Sequence, residues 1–138
     1  MTVGRSTSPT HQVGQRAEES ALRFLQDQGF KLVEQNFHSK MGEIDLIVSQ
    51  VVSQYSLLVF VEVRQRKASV FGSAAASVTR GKQRKISKTA AFFLVLHPEF
   101  EAFDCRFDVI AIDVSRQLTG EISKMNWIEG AFEAALPY

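Results

Sequence analysis

Glu43 and Asp45, in Gly42-Glu43-Ile44-Asp45-Leu46-Ile47, and Glu62, in Phe60-Val61-Glu62-Val63-Arg64, are acids set inside short apolar runs. Such runs are strand material, and along a strand successive side chains alternate between faces. Glu43 and Asp45 are therefore expected on one face, with Ile44 and Leu46 on the other. Glu62 and Arg64 are likewise expected to share a face opposite Val61 and Val63. If the two strands pair, up to three carboxylates and a cation gather on one surface. Carboxylates so close repel each other unless a cation bridges them, and a hard divalent ion with oxygen ligands meets that need. A Mg²⁺- or Mn²⁺-dependent site is the first expectation.

The charge distribution supplies a second clue. The formal net charge is only +1, yet from Val63 to Pro98 there is no Asp or Glu. That stretch carries Arg64, Arg66, Lys67, Arg80, Lys82, Arg84, Lys85 and Lys88, half of the 16 Lys and Arg in the chain. Net charge alone argues against a nucleic-acid partner, whereas its distribution argues for one.

The elements that must position these groups follow from periodicity. Apolar residues at helical spacing (Val13, Ala17, Ala21, Phe24, Leu25) predict a first helix from about Val13 to Gln28, ending before Gly29. Phe30 to Phe37 reads as a first strand, Glu43 to Val52 as a second and Leu57 to Arg66 as a third, the last two joined as a hairpin around Ser53-Gln54. Residues 67–81, rich in Ala, Ser and Gly, are expected to form a flexible loop anchored by Phe71. Lys82 to Leu96 is the second helix, with Ile86, Ala90, Phe93 and Leu94 on its buried stripe and Phe92-Phe93-Leu94 in the core. Arg106 to Val114 is a fourth strand, and Trp127 to Ala135 a closing strand and short helix. The order α-β-β-β-α-β predicts an α/β fold, one mixed sheet flanked by helices. Residues 1–12 read as a disordered tail and 13–138 as a single domain.

Composition narrows the setting. At 138 residues, with 45% hydrophobic and 22% charged residues, the chain is long enough for one domain with a real core. Cys105 is the one cysteine and has no partner for an internal disulfide. Met1 to Gln12 lacks the apolar core of a signal peptide, and the apolar run near Ala90 to Leu96 is far short of the ~20 residues a span requires. A cytoplasmic protein with no membrane partner is expected. His11, His38 and His97 are scattered and suggest no zinc site.

The ordered motifs carry a resemblance. Gly14, Glu18 and Ala21 are followed by Gly29, Asn36 and Gly42-Glu43-Ile44-Asp45-Leu46-Ile47. Phe60-Val61-Glu62-Val63, Arg66, Phe71-Gly72, Lys82 and Arg106-Phe107-Asp108-Val109 complete the series. From about Gly14 to Val114 the chain resembles the YraN-like family of small bacterial proteins, placed in the PD-(D/E)xK nuclease superfamily. That resemblance implies a restriction-endonuclease-like fold. It also implies that Asp45 and Glu62 are metal-binding acids, that Glu18 is the helix-one glutamate added to the site in resolvase-like members, and that Val63 offers its backbone carbonyl to the ion. A Mg²⁺ ion so held can position a water, lower its pKa and neutralise charge growing on a phosphate.

One departure matters. The superfamily's catalytic lysine falls at Arg64 here. Lysine can lose a proton when desolvated, whereas arginine, with a pKa above ~12, can only stabilise negative charge as a fixed guanidinium fork. Lys67 is expected on the opposite face and is a poor substitute. Glu43 is expected to orient Arg64 or Arg66, and Asp108 to pair with Arg106 on a shared strand face, outside the catalytic set.

Lys82, Arg84 and Lys85 cluster at the start of the second helix, where the macrodipole already favours anions, so a bound phosphate would relieve the conflict. With Arg66, Arg80 and Lys88 they form the expected nucleic-acid surface. Such contacts hold a backbone without reading sequence. No aromatic ladder for stacking single-stranded bases is evident, which favours duplex or branched DNA. The expectation is a Mg²⁺-dependent, resolvase-like endonuclease, with a homodimer suited to a two-fold substrate. The alternative is a non-catalytic DNA-binding or repair-partner docking module that retains the fold, with Arg64 as its signature.

Overall fold

The computed structural model describes residues 9–67, 78–114 and 122–135, and side chains within these except at 9–14, 66–67, 114 and 122–124. Helix α1 (Pro9–Asp27) precedes strands β1 (Lys31–Ser39), β2 (Gly42–Val52) and β3 (Tyr55–Lys67). Helix α2 (Arg80–Leu96) and a 3-10 turn (Pro98–Phe100) lead to β4 (Asp104–Val114) and β5 (Ile122–Phe132). The five strands form one sheet in the order β1-β2-β3-β4-β5. Neighbours are antiparallel except β3 and β4, which run parallel and are joined through α2. Parallel neighbours require such a crossover.

The two helices cover opposite faces of the sheet. Leu57, Leu58, Val59, Phe60 and Val61 are all buried, the unbroken apolar run expected of a central strand covered on both sides. Leu57, Val59 and Val61 pack with Ala17, Ala21 and Leu25 of α1, whereas Leu58 and Phe60 pack with Ile86, Ala90 and Phe93 of α2. Burying a side chain such as Leu25 contributes about 1.5–3 kcal/mol. Helix α1 stops where Gly29 takes φ +94° and Phe30 N–H donates to the Leu25 carbonyl at 3.0 Å. That left-handed turn favours glycine.

Several sequence boundaries move. Residues 9–12, expected in the tail, are helical backbone; residues 1–8 and the 68–77 part of the expected loop, with Phe71, lie outside the described residues. Val78 is buried in the α2-side core, and Thr79 caps α2 by accepting the Lys82 N–H on its hydroxyl at 3.2 Å. The helix therefore starts at Arg80, two residues before the expected position. Phe92 is 39% exposed, on the rim beside Phe37 rather than in the core. β5 begins at Ile122 and is strand to Phe132, and no helix follows it through 135.

Asp108 explains how β5 is held. Its fully buried carboxylate accepts Arg106 Nε at 2.8 Å and Nη2 at 2.9 Å, Trp127 Nε1 at 3.0 Å and Gly130 N–H at 2.9 Å. The expected Arg106 pairing is present, and the two further donors come from β5. The register shift between Phe107 and Val109 and the Gly130 φ of +57° mark the irregularity that brings Gly130 to the carboxylate. A buried charge with every oxygen engaged is a structural anchor.

Candidate metal centre

The β2–β3 ladder runs from Val52↔Tyr55 to Leu46↔Val61 and ends there, while β3 continues beside β4 as far as Lys67↔Val114. Beyond Leu46, Ile44 and Glu43 stay paired to β1, opposite Phe37 and His38. The strands thus part at Asp45. Face alternation breaks at the same point: Ile44 enters the α2-side core and Leu46 the α1-side core, not one face as the simple pattern predicts. Val61 and Val63, by contrast, pack together on the α1 side as expected, with Glu62 and Arg64 on the other.

The carboxylates meet in this split. Asp45 Oδ2 accepts the Val63 backbone N–H at 2.8 Å. The Asp45 and Glu62 carboxyls hydrogen-bond to each other. Burial first, then the Glu62 charge, pushes the Asp45 pKa up to about 8, against the opposing Val63 N–H bond. Two carboxyls so close in a buried place favour keeping a proton at the pair. Glu18, on α1, is raised as well, chiefly by burial and then by the charges of Glu43 and Glu62, while hydrogen bonds from Asn36 and Gln35 oppose the shift. Asn36 holds φ +54°, a left-handed conformation inside a strand that asparagine tolerates better than most residues. Neither Asn36 nor Gln35 stood out as a site residue in the sequence.

Cations flank the acids. Arg64 Nη1 lies 3.7 Å from Glu62 Oε2, and Lys82 Nζ lies 2.9 Å from the same oxygen. Lys82, expected on an open nucleic-acid surface, therefore points into the acid pair. Gly42, Glu43, Asp45, Glu62, Thr79, Gly81, Lys82, Lys85 and Ile86 line an open cleft of about 560 Å³. It lies between the split of β2 from β3 and the N-terminal turns of α2. Arg80, Arg84 and Lys88 are exposed on the first turns of α2. The side chain of Arg66 lies outside the described residues. Glu43 pairs with His38 at 3.3 Å on the cleft rim.

The ligand set is small. Among the described residues, no three His, Cys, Asp or Glu side chains stand together as a metal cluster. Asp45 and Glu62 are in contact, Glu18 is within electrostatic reach, and Val63 contributes its N–H to Asp45. Asp45 and Glu62 are the residues that could hold a hard divalent cation, whose preferred ligands are oxygens. Among the described residues, no helix is long and apolar enough to cross a membrane.

Comparison with known sequences bears on this geometry. The model of the "Uncharacterised protein family UPF0102" matches residues 17–112, from the buried face of α1 through β4. The chain belongs to the UPF0102 family. A UPF0102 protein of Psychrobacter cryohalolentis is 44% identical, covering 91% of this chain and 83% of its own length. One from Psychrobacter sp. (strain PRwf-1) is 44% identical, covering 92% of both chains. One from Acinetobacter baylyi is 43% identical, covering 88% of this chain and 90% of its own. The UPF0102 match contains Glu18, Asp45, Glu62, Arg64 and Lys82 within its span.

Proposed function

We propose that this UPF0102 protein is a divalent-metal-dependent nuclease of the PD-(D/E)xK type acting on duplex or branched DNA. The observation that carries the reading is the Asp45–Glu62 pair: two acids brought together where β2 leaves β3, with burial and the Glu62 charge pushing the Asp45 pKa up. Burying two carboxylates together costs stability unless they serve a charge that is absent from the fold itself.

Asp45 and Glu62 would hold Mg²⁺ or Mn²⁺, which supplies a Lewis acid for the phosphate and a water of lowered pKa. The Val63 N–H fixes the Asp45 carboxylate before any ion arrives, so the donor set is preorganised. Glu18, steadied by Asn36 and Gln35, adds negative potential from α1. Arg64, one-third exposed beside Glu62, offers a guanidinium fork to charge developing on the phosphate. Lys85 lines the cleft and Arg80, Arg84 and Lys88 are exposed on α2; together they would bind the DNA backbone, where the helix N-terminus adds its own donors. A homodimer would present two such clefts to a junction's equivalent strands.

Arg64 favours a second reading, a DNA-docking module that has kept the fold without the catalytic lysine expected at this position. The two readings differ in metal chemistry. Calorimetric titration with Mg²⁺ should show one binding event in the wild type that is lost in Glu62→Ala. DNA binding with a steep salt dependence, unaffected by metal or by Glu62→Ala, would establish the docking module instead.

A further inference from the structure

Lys82 reaches Glu62 more closely than Arg64 does, at 2.9 Å against 3.7 Å, although it comes from a different element. Three observations set this pair apart from an ordinary surface ion pair. Glu62 has a side chain only 6% exposed, so the ammonium beside it is its main charge compensation in the metal-free protein. The Lys82 backbone is anchored, because its N–H is bound to the Thr79 hydroxyl and Val78 beneath is buried. The Lys82 side chain is nonetheless 42% exposed along the cleft, with a long flexible stem free to turn.

We propose that Lys82 is the amine of the site, delivered from α2: it neutralises Glu62 in the metal-free protein and, once a divalent cation takes that carboxylate, turns to the substrate phosphate. The inference rests on the nuclease reading above. It accounts for the tolerance of Arg64 in β3, since a second cation on a flexible stem enters the cleft from the facing helix. It also gives Lys82 two opposing effects. The ammonium competes with the metal for Glu62, and it assists the phosphate once displaced. An amine that served only the fold, or only the DNA backbone, would show neither.

The test uses the full chain, with Mn²⁺ as the titrant, in wild type, Lys82→Met, Lys82→Arg and Glu62→Gln. Lys82→Met keeps most of the stem and a melting curve verifies its fold. Removing the competing charge should tighten Mn²⁺ binding by about tenfold. At saturating Mn²⁺ the same variant should cleave junction DNA about 10²-fold more slowly with KM little changed. Lys82→Arg should bind Mn²⁺ as the wild type does and remain slow. Unchanged or weaker Mn²⁺ binding by folded Lys82→Met would overturn the proposal. Wild-type Mn²⁺ affinity in Glu62→Gln would overturn the underlying metal reading as well, which separates the two failures.

Discussion

Asp45 fills a place in the backbone of its own sheet: its Oδ2 accepts the Val63 N–H at 2.8 Å, two residues beyond the last β2–β3 ladder pair on β3. A side chain takes over where the main chain of β2 has turned away toward β1. The same bond therefore closes the sheet and opens the site. It satisfies a donor that the strand separation would orphan, and it aims the carboxylate at Glu62.

The raised Asp45 pKa would make the proposed metal binding pH-dependent. With Asp45 at about 8, a divalent ion must displace a proton below that value. Apparent Mg²⁺ affinity should rise about tenfold per pH unit up to about pH 8 and level off above it. Calorimetry in two buffers of different ionisation enthalpy would count the proton released.

The same shift acts on stability. The folded pKa of Asp45 is raised from 3.8 to about 8, so its contribution favours folding most below the unfolded value and is lost as pH rises through about 8. The metal-free wild type should lose melting temperature between pH 5 and pH 8.5 relative to Asp45→Asn, whose side chain does not titrate. Added Mg²⁺ should restore the wild type at the alkaline end and leave Asp45→Asn unchanged.

Arg80, Arg84 and Lys88 are exposed and stand outside the acid pair, so they test the proposed DNA surface without touching the proposed metal site. Their joint change to Ala should weaken DNA binding across sequences and reduce the slope of log K against log salt by up to about 3. The Mg²⁺ titration should be unaltered. Filter binding at a series of salt concentrations measures the slope.

Asp108 tests the fold apart from the site. Asp108→Ala leaves Arg106 uncompensated and removes the acceptor for Trp127 and Gly130. The cost should be about 3 kcal/mol, seen as a melting-temperature drop of roughly 10 °C.

Much of this was legible in the sequence because it rested on local pattern. The helical spacing of Ala17, Ala21 and Leu25, the apolar run of β3 and the Glu62–Arg64 alternation each encode their own element, and the structure keeps them. What the sequence did not disclose depends on contacts between distant segments. Strict alternation placed Ile44 and Leu46 on one face; they go to opposite faces because β2 bends at Asp45, and no residue type announces that bend. Lys82 looked like one more cation at a basic helix start, and only the packing of α2 against β3 turns it toward Glu62. Thr79 was the available signal, since a threonine three residues before Lys82 is an N-cap that fixes where the lysine leaves the helix. Trp127 to Ala135 was misjudged in part because the Asp108 network, which holds β5 as a strand, joins residues some twenty positions apart.

Cleavage itself tests the central claim most directly. Labelled four-way-junction, flap, duplex and single-stranded DNA would be incubated with wild type, Asp45→Asn and Glu62→Ala in Mg²⁺ or Mn²⁺. Metal-dependent, structure-selective cutting by the wild type, lost in both variants, is the expected result. Binding of the same substrates without cutting under any metal, or equal cutting by wild type and Glu62→Ala, would contradict it.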